Sequence, residues 1–296
     1  MSRKHPIVAV TGSSGAGTST VRNALEYIFH RVGAQAAFVE GDSFHRYDRK
    51  TMRAELEKAK ADGRMLSHFG PEGNLFDRQL ELFRTYGETG TGMRRYYVHN
   101  EEEAACHGVE PGTFTDWTPL PSDTDLLFYE GLHGGVVAGD IDMTREVDLL
   151  IGVCPTINLE WVQKINRDIQ TRGYRPEDVK DSIYRRMYDY MYYILPQFSH
   201  THINFQRIPI TDTSNPFAVT KIPSADQSLV MIHFQKPKPA VEYKLQLKGL
   251  IDGSMISDFN TLVIPGGKMM YAMELILTKY ILDLMKQRGH LPAEMA

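Results

Sequence analysis

The chain has 296 residues, a formal net charge of −4 and 42% hydrophobic residues, the balance of an ordinary globular protein. That charge gives no global positive field for a nucleic acid backbone, so any anionic ligand must be met by locally clustered cations. Two cysteines, Cys106 and Cys154, are too few for a disulfide framework. No apolar run reaches membrane-spanning length and no signal-peptide core follows the start, which leads us to expect a cytoplasmic protein with no membrane and no nucleic acid partner.

In chain order, Ile7 to Val10 predicts a buried strand, followed by a Gly/Ser loop and a helix from about Thr18 to Arg31. Ala36 to Glu40 predicts a second strand, and two helical stretches follow near Thr51 to Ala61 and Phe76 to Tyr86. Arg94 to His99, aromatic and β-branched, predicts a short strand, with the acidic Glu101-Glu-Glu103 as a solvated turn after it. Asp125 to Glu130 and Val147 to Val153 predict two further core strands. A helix from about Asn158 to Thr171 comes next, with Thr156 as its cap. Gly173 interrupts it and Pro176 starts another. Leu229 to Phe234, Tyr243 to Leu247 and Thr261 to Ile264 predict antiparallel strands, before a final helix over about Lys268 to Lys286. Alternating strands and helices define an α/β fold, a mixed β-sheet flanked by helices with an antiparallel C-terminal extension at about 228–290. With no repeat and no low-complexity linker, 1–296 is expected to form a single domain.

Gly12-Ser-Ser-Gly-Ala-Gly-Thr-Ser19 has the spacing of a phosphate-binding loop between a strand and a helix. Backbone N–H groups wrap a phosphate there, and the helix N-terminus behind them adds partial positive charge. Gly12, Ser13, Ser14, Gly15, Ala16, Gly17, Thr18, Ser19 and Thr20 are the candidate phosphate-binding residues. Thr18 stands where such loops carry Lys; Ser19 keeps the hydroxyl that can hold Mg²⁺. Either the loop is degenerate and binds nothing, or another cation substitutes.

Glu40-Gly-Asp-Ser-Phe-His-Arg46 falls at the carboxyl end of the second strand, where ligands collect in open α/β sheets. Asp42 there can take the proton of an attacking alcohol, or simply cap a helix. His45 and Arg49 are near enough in sequence to hold an anionic substrate. Glu130 ends a buried strand and can hold Mg²⁺, although acids at strand ends are common. Lys164 shares one helix face with Arg167 and Asp168. That group is either a solvated Lys–Asp pair or the source of the missing loop cation. Arg172 and Arg175 flank Gly173 in a lid-like segment at about 169–182. The tyrosine-rich stretch Tyr184 to Tyr193 has helical spacing and predicts core or subunit interface, and the eleven histidines show no metal-ligand pattern.

Taken together in order and spacing, several segments resemble the phosphoribulokinase family, in its short prokaryotic type. They are the loop itself, Glu40-Gly-Asp-Ser-Phe-His45, Tyr97-Val-His99, Phe114-Thr-Asp-Trp117 and Tyr129-Glu-Gly-Leu-His-Gly134. Asn158 to Asp168, Thr171-Arg-Gly-Tyr174, Asn204-Phe-Gln-Arg207 and Asp212 to Phe217 continue the pattern. The Lys-less loop is itself a feature of that type. The resemblance implies a P-loop kinase fold similar to nucleoside monophosphate kinases, with ATP and Mg²⁺ as donor and ribulose 5-phosphate as acceptor. It implies Asp42 as catalytic base, Glu130 as metal-associated acid and Asp168 as a second essential carboxylate. Lys164 and Arg167 then lie near the transferring phosphoryl, and His45, Arg49, His99 and Arg172 bind the sugar phosphate. It also implies a homo-oligomer as large as an octamer, with NADH and AMP as effectors. Two alternatives stand beside it: a uridine kinase-like nucleoside kinase, and a non-catalytic nucleotide-binding regulator.

Overall fold

The computed structural model describes residues 5–12, 18–170, 173–219, 221–287 and 289. In chain order it runs β1 (Ile7–Gly12), α1 (Thr18–Val32), β2 (Ala36–Glu40), α2 (Arg49–Ala61) and α3 (Phe76–Thr89). A short hairpin layer follows with β3 (Met93–Arg94), α4 (Glu101–His107) and β4 (Thr118–Pro119). The middle holds β5 (Leu126–Gly131), the pair β6 (Val137–Ala138) and β7 (Ile141–Asp142), and then β8 (Leu149–Cys154). Helices α5 (Ile157–Gln170) and α6 (Pro176–Asp189) lead to β9 (Ile203–Pro209) and β10 (Ser228–Phe234). The chain closes with α7 (Val241–Leu250), β11 (Met255–Asp258), β12 (Thr261–Pro265) and α8 (Met269–Gln287).

One eight-stranded sheet takes the order β11-β12-β10-β9-β8-β1-β5-β2. From β2 to β9 neighbours run parallel; β10, β12 and β11 then extend the sheet antiparallel. Strand β1 is buried along its whole length, which is why Ile-Val-Ala-Val reads as a continuous apolar run rather than an alternating one. On one face, Val21, Ala24, Leu25, Ile28 and Val32 of α1 recur at helical spacing and pack with Met273, Ile276, Leu277 and Ile281 of α8. On the other, Phe76, Leu80, Phe83 and Tyr86 of α3 cover Ile7, Ala9, Leu127 and Tyr129.

Several expectations need correction. Glu101-Glu-Glu103 is the first turn of α4, capped by Asn100 accepting from the Glu103 amide; three acids suit a helix N-terminus. Of the expected 94–99 strand only Arg94, in β3, pairs in a ladder, with a single bridge from Tyr97 to Phe114 beyond it. Tyr243 to Leu247 lies in helix α7, and β9 occupies a stretch in which no strand was expected. Thr156 precedes α5, but its hydroxyl donates to the Arg207 carbonyl at 2.7 Å rather than capping. In the tyrosine-rich stretch Tyr190 is buried, while Tyr184, Tyr188 and Tyr192 stay more than half or about half exposed.

Candidate active site

The carboxyl ends of β1, β2 and β5 lie side by side, with Glu130 of β5 in register with Val10 on one side and Glu40 on the other. Just beyond, two glycines cross. A Cβ on Gly131 would come within 2.7 Å of the Gly41 Cα, so neither position can carry a side chain. This close approach swings the 3₁₀ turn Gly41–Phe44 over the end of β5 and delivers Asp42 to the sheet edge.

Asp42 Oδ1 lies 3.2 Å from His45 Nε2, and Oδ2 lies 3.6 Å from His99 Nε2, while the carboxylate keeps 38% of its surface open. Burial alone would raise its pKa, but His45 above all, with His99 and His68, holds it well below the usual carboxylate range. His45 is 6% exposed, its Nδ1 is 3.0 Å from Asn74 Oδ1, and its ring lies 4.1 Å from that of His68, tilted by 35°. Burial works against a charge on His45; Asp42 outweighs it and raises the imidazole pKa. Burial drives His68 well below its ordinary value, and takes His133 behind it down to about 3.

Arg95 clamps the turn from outside. Its Nε donates to the Ser43 carbonyl at 2.8 Å and its Nη2 to the His45 carbonyl at 2.7 Å. The guanidinium lies 3.7 Å over the Phe114 ring and 4.8 Å from that of Trp117. Asp48 caps α2 through the Thr51 amide, placing Arg49 at the first helical position. Arg49 Nη2 then donates to the His99 carbonyl at 2.9 Å. Asp42, His45, Arg49 and His99 therefore form one cluster.

The second cluster sits on α5 and α6. Asp168, 3% exposed, is bonded to Lys164 and lies 3.2 Å from Arg167 Nε. Burial, with Arg186 nearby, lowers the Lys164 pKa to about 8 against the pull of Asp168. Arg186 is itself lowered by burial to about 10, and Asp168 opposes that shift. The loop 67–70 joins the clusters: the His68 ring lies against that of His45, Ser67 donates to Asp189 at 2.6 Å, and the Arg186 guanidinium lies 5.3 Å over the Phe69 ring.

Sequence reading missed His68, Asn74, Arg95 and Arg186, each of which acts through a partner distant in the chain. Gly12 ends β1, two residues beyond the strand expected at Ile7 to Val10, and Thr20 lies in α1, as expected. Ser13, Ser14, Gly15, Ala16, Gly17 and Arg172 lie outside the described residues, as do the side chains of Thr18 and Ser19.

A mixed sheet whose parallel strands end at an acid turn and a cationic helix, with a Gly-rich sequence between β1 and α1, defines an α/β phosphotransferase of the P-loop kinase class. Residues 7–214 match the model of the Phosphoribulokinase / Uridine kinase family, and the chain belongs to that family. A chromosomal phosphoribulokinase of Cupriavidus necator is 55% identical over 97% of this chain and 98% of its own length. A phosphoribulokinase of Nitrobacter vulgaris is 52% identical over 97% and 99%. The solved phosphoribulokinase from Rhodobacter spheroides superposes with a TM-score of 0.88 at 49% identity, covering 97% of this chain and 99% of that one. The protein is an ATP-dependent kinase. No helix among the described residues is long and apolar enough to cross a membrane.

Proposed function

We propose that the chain transfers the γ-phosphoryl of ATP to the C1 hydroxyl of ribulose 5-phosphate, giving ribulose 1,5-bisphosphate and ADP for carbon fixation. The observation that carries this reading is the Asp42 cluster. An ionised carboxylate is set among His45, His99 and Arg49, which suits an alcohol on a molecule that also bears a phosphate. A nucleoside acceptor would give the Arg49 guanidinium no anion to meet. The near-full-length likeness to phosphoribulokinases points the same way.

In this mechanism Asp42 receives the hydroxyl proton, while His45, His99, Arg49 and Arg172 hold the acceptor. Lys164 and Arg167, both held by Asp168, balance charge on the moving phosphoryl in place of the absent loop Lys. The Gly12–Thr20 loop seats the ATP phosphates, and the 169–182 segment closes over the site to exclude water. Oxygen donors suit Mg²⁺, and Glu130 at the end of β5 with the Ser19 hydroxyl would hold it, the phosphates and water completing its shell. When bound, the ion neutralises charge on the β- and γ-oxygens. The exposed Tyr184, Tyr188, Met191 and Tyr192 support assembly into a homo-oligomer, which sedimentation would test.

ADP release with ATP and Mg²⁺ against ribulose 5-phosphate, ribose 5-phosphate, uridine and no acceptor tests the function. Turnover with ribulose 5-phosphate alone is expected. Activity on uridine would move the acceptor to nucleosides, and silence throughout with intact ATP binding would leave a non-catalytic nucleotide binder.

A further inference from the structure

Asn74, 1% exposed, follows the short turn Pro71–Gly73 and belongs to none of the motifs read from the sequence. Its amide nitrogen donates to two main-chain carbonyls, those of His68 at 2.9 Å and Gly70 at 2.7 Å. Turning the amide over would press its oxygen against both carbonyl oxygens, so its orientation is dictated by its partners. The amide oxygen therefore faces His45 Nδ1 at 3.0 Å. That oxygen can only accept, so Nδ1 must carry hydrogen.

The other ring nitrogen, Nε2, faces Asp42 Oδ1 at 3.2 Å. A neutral imidazole has one N–H, and Asn74 takes it. An ionised carboxylate also only accepts, so Nε2 and Asp42 can bond only if the pair holds one proton more. We propose that Asn74 is a positioning residue that fixes His45 as an Nδ1–H donor and thereby makes the Asp42–His45 pair bind an additional proton, an imidazolium beside an ionised carboxylate. This deepens the reading of Asp42 as the base for a phosphorylated acceptor and rests on it for its kinetic consequence. The bound proton puts positive charge beside the acceptor while leaving the carboxylate free to take the hydroxyl proton.

The groups facing His45 divide in sign. Arg95, bonded to the His45 carbonyl, opposes the charge, while His68, its ring 4.1 Å away, is itself pushed well below its ordinary value by burial and by His45. Asp42 favours it, and His99 lies on the other oxygen of that carboxylate. Tyr97 presents its ring at 6.2 Å, and His133 stands behind His68, bonded to the Phe69 carbonyl. The net direction is upward for His45. A raised imidazole keeps its proton at low pH and loses it as pH rises through the raised value.

The test is nitrogen NMR of the full chain labelled at histidine, with His45 assigned from the spectrum of His45→Gln. Both ring nitrogens of His45 are expected to be protonated at neutral pH and to titrate above the ordinary histidine value. A neutral ring at neutral pH, whichever nitrogen carries its hydrogen, would overturn the proposal. This reading needs no substrate, so it holds or fails whether or not ribulose 5-phosphate is the acceptor. In Asn74→Ala a neutral ring can turn its single N–H toward Asp42 with no added proton. His45 should then titrate lower, moving the alkaline limb of kcat/KM for ribulose 5-phosphate down by about one pH unit. A uniform fall in kcat with that limb unmoved would indicate a merely structural residue and overturn the assignment. Should Asn74→Ala fail to fold, the spectrum of the unmodified chain still decides.

Discussion

Thr11 and Gln197, 186 positions apart, meet through a 2.7 Å hydrogen bond from the Thr11 hydroxyl to Gln197 Oε1. The same oxygen accepts from the Gly135 amide at 2.9 Å, and Nε2 donates to the carbonyls of Leu132 and Tyr193 at 2.9 and 2.7 Å. With 1% exposure, Gln197 ties the end of β1, the turn after β5 and the π-wound segment Tyr190–Ile194 into one knot beside the phosphate loop. Gln197→Leu fills the space but removes these bonds, so it should destabilise the fold by about 2–4 kcal/mol. Thermal unfolding checks that. KM for ATP should rise more than KM for the acceptor, because Thr11 adjoins Gly12.

Asp42→Asn keeps the shape of the turn and removes the base. A fall in kcat of about 10²–10⁴ is expected, with ATP affinity nearly unchanged. Loss of ATP binding in a folded variant would refute the assigned role.

Lys164 should contribute a pH dependence of its own. Burial has brought its pKa down to about 8, so the ammonium is charged below that value and neutral as pH rises past it. The rate with both substrates saturating should therefore decline above about pH 8. Lys164→Arg, charged throughout, should lose that decline, and Lys164→Met should cost about 10²–10³ in kcat at neutral pH. A decline that persists in Lys164→Arg would place its origin elsewhere.

Arg95→Met removes the bonds to the Ser43 and His45 carbonyls and the charge over Phe114. A loss of about 2 kcal/mol is expected by denaturant unfolding. Because the clamp holds the turn bearing Asp42 and His45, KM for the acceptor should rise several-fold while KM for ATP stays put.

How far the sequence carries depends on how local each device is. Asp42, His45 and Arg49 sit within one turn and the helix after it, and Lys164, Arg167 and Asp168 share a helix face, so spacing alone exposes them. Asn74 and Arg95 reach His45 only because the loops that bear them fold back onto the Gly41–Phe44 turn, and no periodicity records that. Helix α7 misled for a different reason. Tyr243, Leu245 and Leu247 alternate with polar residues as a half-buried strand would, yet Leu245 is exposed and Lys244 buried, the pattern of a helix against the sheet edge. In Glu101–Glu103 the acids that looked like a solvated turn are the charge complement of a helix start.

The last strands and helix have a consequence for the integrity of the kinase. The family match ends at residue 214, yet Val230, Ile232, Phe234, Leu262, Ile264, Met273, Ile276 and Ile281 share one apolar cluster with Val21, Leu25 and Ile28 of the helix behind the phosphate loop. A fragment cut at that boundary would not be a smaller enzyme. It would turn a greasy flank of α1 and the unpaired side of β9 to water, an invitation to sticky self-association. The nucleotide end and the tail must therefore melt together, and damage to either should register as one transition.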